Sequence, residues 1–159
     1  MFTFRTFLLG TAAAAAAAGA VLAASEPDKA TAAAIKARQS HMTLYAFNLG
    51  ALGAMAKGER PYDAGAAQAA ADNLAALVSM NQGAYWPAGS DSDSVTGTNA
   101  LPKIWEDFAG VAEKGKALAQ AVAELQEAAG MDLDSLRPAV GAVGKACGAC
   151  HKAYRKPKE

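Results

Sequence analysis

Apolar residues recur at steps of three and four along most of this chain and do not alternate with period two over a strand's length, a pattern that predicts an all-α fold. The first long helix is predicted over residues 30–57, where Ile35, Met42 and Leu49 are spaced by seven and Leu52 and Met55 continue the stripe. Gly58-Glu59-Arg60-Pro61 stops it. A second helix starts at Pro61-Tyr62-Asp63 and runs to about Met80, almost pure alanine with Leu74, Leu77 and Val78 on one face. Residues 81–102 break the pattern with Gly83, Pro87, Gly89, the run Ser90-Asp91-Ser92-Asp93-Ser94 and Gly97, so a long loop is predicted there. Loops of this length in compact domains usually have a task, and Tyr85 and Trp86 inside it are expected to fold back onto an apolar surface.

A third helix is predicted from about residue 102 to 129, with Ile104, Phe108, Val111, Leu118, Val122 and Leu125 as its apolar stripe and Gly130 as its end. Asp132-Leu133-Asp134-Ser135 reads as the capped entry to a fourth, on which Leu136, Val140, Val143, Cys147, Cys150 and Tyr154 recur at helical spacing. Four helices with two short connections and one long one predict an antiparallel four-helix bundle, with a cofactor held between facing helices.

The chemistry sits on the last helix. Cys147-Gly148-Ala149-Cys150-His151 is a C-x-x-C-H pattern, the signature of covalent c-type haem attachment. Each thiol adds to one porphyrin vinyl group, and the adjacent imidazole is held under the iron as its proximal ligand. The residues are i, i+3 and i+4, so one turn of helix carries all three. A zinc site would need a second cluster of Cys or His, but the chain has just these two cysteines, and its other histidine is His41. A redox dithiol would be expected after a strand in a βαβ pattern, which is missing from the sequence; a simple disulfide between Cys147 and Cys150 is the remaining alternative, and it would give no Soret band.

Residues 1–23 read as a secretory signal peptide: a short start with Arg5, an apolar alanine-rich run over 7–20, and Val21-Leu22-Ala23 as a small-residue cleavage region. Residues 24–159 then form the mature domain, in the periplasm and with no membrane segment after cleavage. The formal net charge of zero falls to about −1 once Arg5 is removed, which argues against nucleic acid as a partner. The basic tail of Lys152, Arg155, Lys156 and Lys158 complements the dipole at a helix C-terminus.

Taken together, the chain resembles the cytochromes c′. The resemblance is carried by the near-terminal Gly144-Lys145-Ala146-Cys147-Gly148-Ala149-Cys150-His151 with Tyr154-Arg155, by the corner Lys57-Gly58-Glu59-Arg60-Pro61-Tyr62-Asp63, and by Pro102-Lys103-Ile104-Trp105. It implies one covalent haem c and its iron per chain, with Cys147 and Cys150 as thioether positions and His151 as axial ligand. It also implies that Arg38 and Gln39 contact the haem propionates, that Met42 lies over the sixth coordination site, that Arg155 stands beside the proximal histidine, and that Thr98 and Asn99 touch the haem edge. His41, about 100° around the helix from Met42, is expected to be a partly exposed side chain.

The function implied is that of a binding and electron-transfer protein rather than an enzyme, since no distal acid or base is evident. Its iron is five-coordinate, takes NO and CO, and exchanges electrons with redox partner proteins. The alternative is a low-spin electron carrier in which Met42 is the second axial ligand. The resemblance also implies a homodimer through the first two helices, where Gly50, Ala51, Gly53 and Ala54 permit close crossing.

Overall fold

The computed structural model describes residues 24–157. Its helices are α1 (Lys29–Ala56), α2 (Ala64–Ser79), the four-residue α3 (Lys103–Glu106), α4 (Phe108–Ala128) and α5 (Leu133–Tyr154), with a 3₁₀ turn at Gly83–Tyr85. The four long helices form the antiparallel bundle expected from the pattern. α1 packs on α2, α2 on α4, α4 on α5, and α5 closes the ring against α1.

Acidic caps set where the helices begin. The Asp28 carboxylate accepts from the Ala30 and Thr31 amides at 2.8 and 3.0 Å, Asp63 from Ala66 at 2.8 Å, and Asp132 from Ser135 at 2.7 Å. α1 stops where Gly58 takes a φ of 76°, a left-handed backbone that a side chain would strain. The Gly58 amide then donates to Met55 O and the Glu59 amide to Ala54 O, the double bond of a Schellman stop.

The core is built from Leu52 and Met55 of α1, Leu74 of α2, Val122 and Leu125 of α4, and Leu136 and Val143 of α5. Ala67 and Ala71 are fully buried, so the alanine run of α2 brings its backbone close to its neighbours. At one end of the bundle the Tyr62 hydroxyl donates to Ala129 O, and Arg137 Nε donates to Ala56 O at 3.0 Å. The other end gathers the segment before α1, the long loop and the end of α5. Ser25 bridges Val95, and Ala100 bridges Arg155.

The structure corrects two expectations about the helices. The predicted third helix is two, because Asp107 takes an extended φ of −134°, ends α3 and caps α4 by accepting from the Gly110 amide at 2.9 Å. Phe108, placed on the apolar stripe, is thereby turned out and is 62 % exposed. On α1 the buried residues are Ile35, Arg38, His41, Tyr45, Asn48, Leu52 and Met55. Met42 is not among them, and His41 is buried rather than partly exposed. The inward face is half polar, so a stripe drawn from apolar residues alone is rotated away from the true one. The signal-peptide reading falls on residues 1–23, outside the described residues.

Leu125 is fully buried at the centre of the cluster. Leu125→Ala should therefore lower unfolding free energy by about 3 kcal/mol in a denaturant titration, with an unchanged far-ultraviolet spectrum.

Candidate haem site

Cys147, Cys150 and His151 all lie in the last two turns of α5. Both cysteines are free and half-buried, and Cys147 packs against the core cluster alongside Leu49 of α1. Burial raises both thiols above their ordinary value, with Cys150 adding to the shift of Cys147. His151 is exposed. Partial burial, and then the charge of Arg155, hold its imidazole below its ordinary value. That favours the neutral ring, the form with a lone pair for a metal.

The position of Met42 follows from the register of α1 against α5. The Arg137–Ala56 hydrogen bond ties the two antiparallel helices at one end, and Leu49 and Gly53 face Gly144 and Val140 in a cleft of about 390 Å³. Each step back along α1 is matched by a step forward along α5, at about 1.5 Å per residue. From Ala56 back to Met42 is as many residues as from Arg137 on to His151, so the two side chains stand level to within about a turn. Met42 is 39 % exposed and is packed into no core cluster. Two free thiols, a neutral-leaning imidazole and a thioether at the same level of one helix pair suit covalent attachment and axial ligation of haem.

Arg38 is 3 % exposed and carries the most connections at this end. Nη1 donates to the Ser90 hydroxyl at 2.7 Å and to Tyr85 O at 3.2 Å; Nη2 donates to Ser90 O and to the Thr98 hydroxyl at 2.8 Å. Its guanidinium carbon lies 4.8 Å from the Trp86 ring centroid and 5.9 Å from that of Trp105. Burial pulls this group below its ordinary value, and the Asp91 carboxylate partly restores it. Burial pushes Asp91 up in turn, but hydrogen bonds from Ser94 and Asp93 outweigh that and keep it ionised. Four of the five N–H donors of Arg38 are thus spent on the loop, leaving Nε for a haem carboxylate.

Gln39 is exposed and donates to Gly97 O at 2.8 Å. Thr98 also accepts from the Ala100 amide at 3.1 Å, and the Asn99 carbonyl accepts from Lys156 N at 2.9 Å. Arg155 caps α5 beside His151, and both line a shallow cleft of about 320 Å³ with Lys152 and Lys156. The expected residues therefore gather at one end of the bundle. Trp86 lies under Arg38 and meets Trp105 edge-on, and Tyr85 packs near His41, 6.0 Å between ring centroids. The imidazole of His41 is edge-on to Tyr45 at 4.7 Å, and its Nε2 has no hydrogen-bond partner.

Sequence reasoning missed Ser90, Trp105, Asp107, Gly110 and Tyr154 as parts of this end. Trp105 and Tyr154 had entered only through motif and stripe, and Asp107 left its own trace as an acid in mid-stripe three residues before Gly110, where it can cap a new helix.

A family model described as Cytochrome C′ matches residues 33–155. A cytochrome c-554 of Cereibacter sphaeroides is 46 % identical over 122 residues, covering 77 % of this chain and 80 % of that protein. A cytochrome c′ of the same organism is 41 % identical over 151 residues, covering 95 % and 97 %. The solved cytochrome c′ from Rhodobacter sphaeroides superposes with a TM-score of 0.79 at 41 % identity, covering 80 % and 98 %. Structures of substituted variants of a cytochrome c prime from Alcaligenes xylosoxidans, at 38 % identity, include a nitric oxide complex (TM-score 0.71, covering 83 % and 100 %) and a carbon monoxide complex (0.70, covering 80 % and 97 %).

Arg38→Gln should free the loop without unfolding the bundle. Amide hydrogen exchange over residues 85–98 is expected to accelerate at least about tenfold, while the core amides of α4 and α5 keep their protection.

Proposed function

Because the chain belongs to the cytochrome c′ family, we propose that it is an exported haem c protein that carries electrons and binds small neutral gases at an iron held on one side by His151. When bound, the haem supplies a one-electron centre and an iron coordination site. Cys147 and Cys150 anchor it to α5, and the neutral-leaning imidazole of His151 offers its lone pair to the metal. On the opposite side Met42 brings an uncharged thioether with no hydrogen to donate. A neutral diatomic is therefore favoured over an anion, which would need a donor or a charge.

The observation that carries this reading is the level of Met42 with His151 across the α1–α5 pair. The nitric oxide and carbon monoxide complexes of the Alcaligenes protein support the choice of gases. In this reading Gln39 and the remaining donor of Arg38 would take the haem carboxylates, with Thr98, Asn99 and Arg155 at the same edge, which the bonds of Arg38 and Gln39 to the loop that carries Thr98 and Asn99 support. The reading is one of binding and electron transfer rather than catalysis, and His41, the neighbour of Met42 in the chain, is buried against tyrosine rings.

The same register favours a second reading, in which the sulfur of Met42 itself takes the sixth position and the protein is a simple electron carrier.

The alanine-rich start and the small residues at 21–23 support export to the periplasm, and no helix among the described residues is long and apolar enough to cross a membrane. A homodimer through α1 and α2 is supported by Leu44 and Phe47 of α1, 50 % and 73 % exposed, with Met80 after α2 at 47 %. Gly50, Gly53 and Ala54, also expected at that contact, line the open cleft between α1 and α5.

Carbon monoxide added to the reduced protein should shift the Soret band at once. A spectrum that stays unchanged would favour ligation by Met42, and Met42→Leu would then create the response; in the first reading that variant responds as the unaltered protein does. Sedimentation should give a dimer, and Phe47→Glu should shift it to the monomer.

A further inference from the structure

Tyr154 follows His151 by three residues, close to it on the helix surface. It is 5 % exposed, and its hydroxyl donates to Asp107 Oδ2 at 2.6 Å. That carboxylate is the cap at the α3–α4 break, so one side chain both starts α4 and receives the end of α5. Gly110 completes the contact: a Cβ there would collide with the Tyr154 hydroxyl and with the Asp107 carboxylate. The Lys103 ammonium lies 5.7 Å from the Tyr154 ring centroid. On the loop side, Leu101 N donates to Tyr154 O at 3.0 Å and Lys156 N to Asn99 O at 2.9 Å.

The last turn of α5 is thus pinned to α4 by a charge-assisted hydrogen bond and to the loop by two backbone bonds. The Asp107 carboxylate, held below its usual range by Tyr154 first and Gly110 second, stays ionised as an acceptor, and the Tyr154 phenol is pushed up to about 12.

We propose that Tyr154 and Asp107 are positioning residues for His151: their hydrogen bond fixes the height and tilt of the last turn of α5, and with them the approach of the imidazole to the iron. The inference rests on the axial role of His151. Partners one step removed from a metal orient its ligands and tune its properties, commonly by about ten- to a hundredfold when removed.

The test uses the haem-loaded full chain with Tyr154→Phe, which keeps the ring, and Asp107→Asn, which keeps an oxygen for the Gly110 cap. Haem content, the iron–histidine stretch of the photolysed carbon monoxide complex, and carbon monoxide affinity are measured beside denaturant stability. Both variants are expected to load haem fully, to shift the stretch in the same direction, and to change affinity by about tenfold. The double variant should add nothing further. If Tyr154→Phe does not accumulate, Asp107→Asn, which removes no packing, decides the matter. An unmoved stretch and affinity in variants that merely lose stability would overturn the proposal while leaving His151 as ligand. Absence of the stretch from the unaltered protein would remove the axial assignment, and the proposal with it.

Discussion

A cation buried almost completely must have its hydrogen bonds met inside the protein, because an unsatisfied buried charge costs several kcal/mol (about 3–5 when one partner is lost). Arg38 is such a cation, and among the described residues no carboxylate lies within ion-pair distance of it. Its needs are met by two hydroxyls and two carbonyls of the 81–102 loop and by the faces of two indoles. The loop is shaped around the guanidinium. Once closed, it ties Ser25 ahead of α1, leads into α3, and bonds the backbone around Tyr154 and Lys156. One side chain on α1 thereby organises the whole end of the bundle at which the haem ligands stand.

This explains why α1 is so weakly amphipathic. Its inward face carries Arg38, His41 and Asn48 among the apolar residues. Asn48 is met by Asn73 across the α1–α2 contact, at 3.0 Å. Turning these groups inward leaves Leu49 on the flank that looks toward Val140 and Gly144 of α5, with Met42 about two turns further along the same flank. The polarity of the α1 core and the placement of the distal side chain are therefore two sides of one rotation.

The elements were largely legible in advance. Helical spacing located all four long helices, and Asp28, Asp63 and Asp132 cap within a residue or two of where they begin. The third helix was misread because its apolar spacing continues past Asp107, and what breaks it is a carboxylate whose second role depends on Tyr154, 47 residues away in the chain. His41 was misplaced for a related reason: a histidine's polarity argues for solvent, yet here two tyrosine rings and the end of α2 cover it.

By itself, the sequence determined the chemistry of the proposed haem-binding residues. Covalent attachment and an adjoining imidazole need three side chains within one helical turn, and helical geometry guarantees that for residues 147, 150 and 151. What stands opposite them was decided only by the tertiary structure. The level of Met42 depends on the antiparallel register that Arg137 and Ala56 set between α1 and α5. The use made of Arg38 depends on a loop whose partners lie 47 to 60 residues further on. Local spacing carries information over a turn or two, whereas register and burial arise when distant segments compete for the same interior.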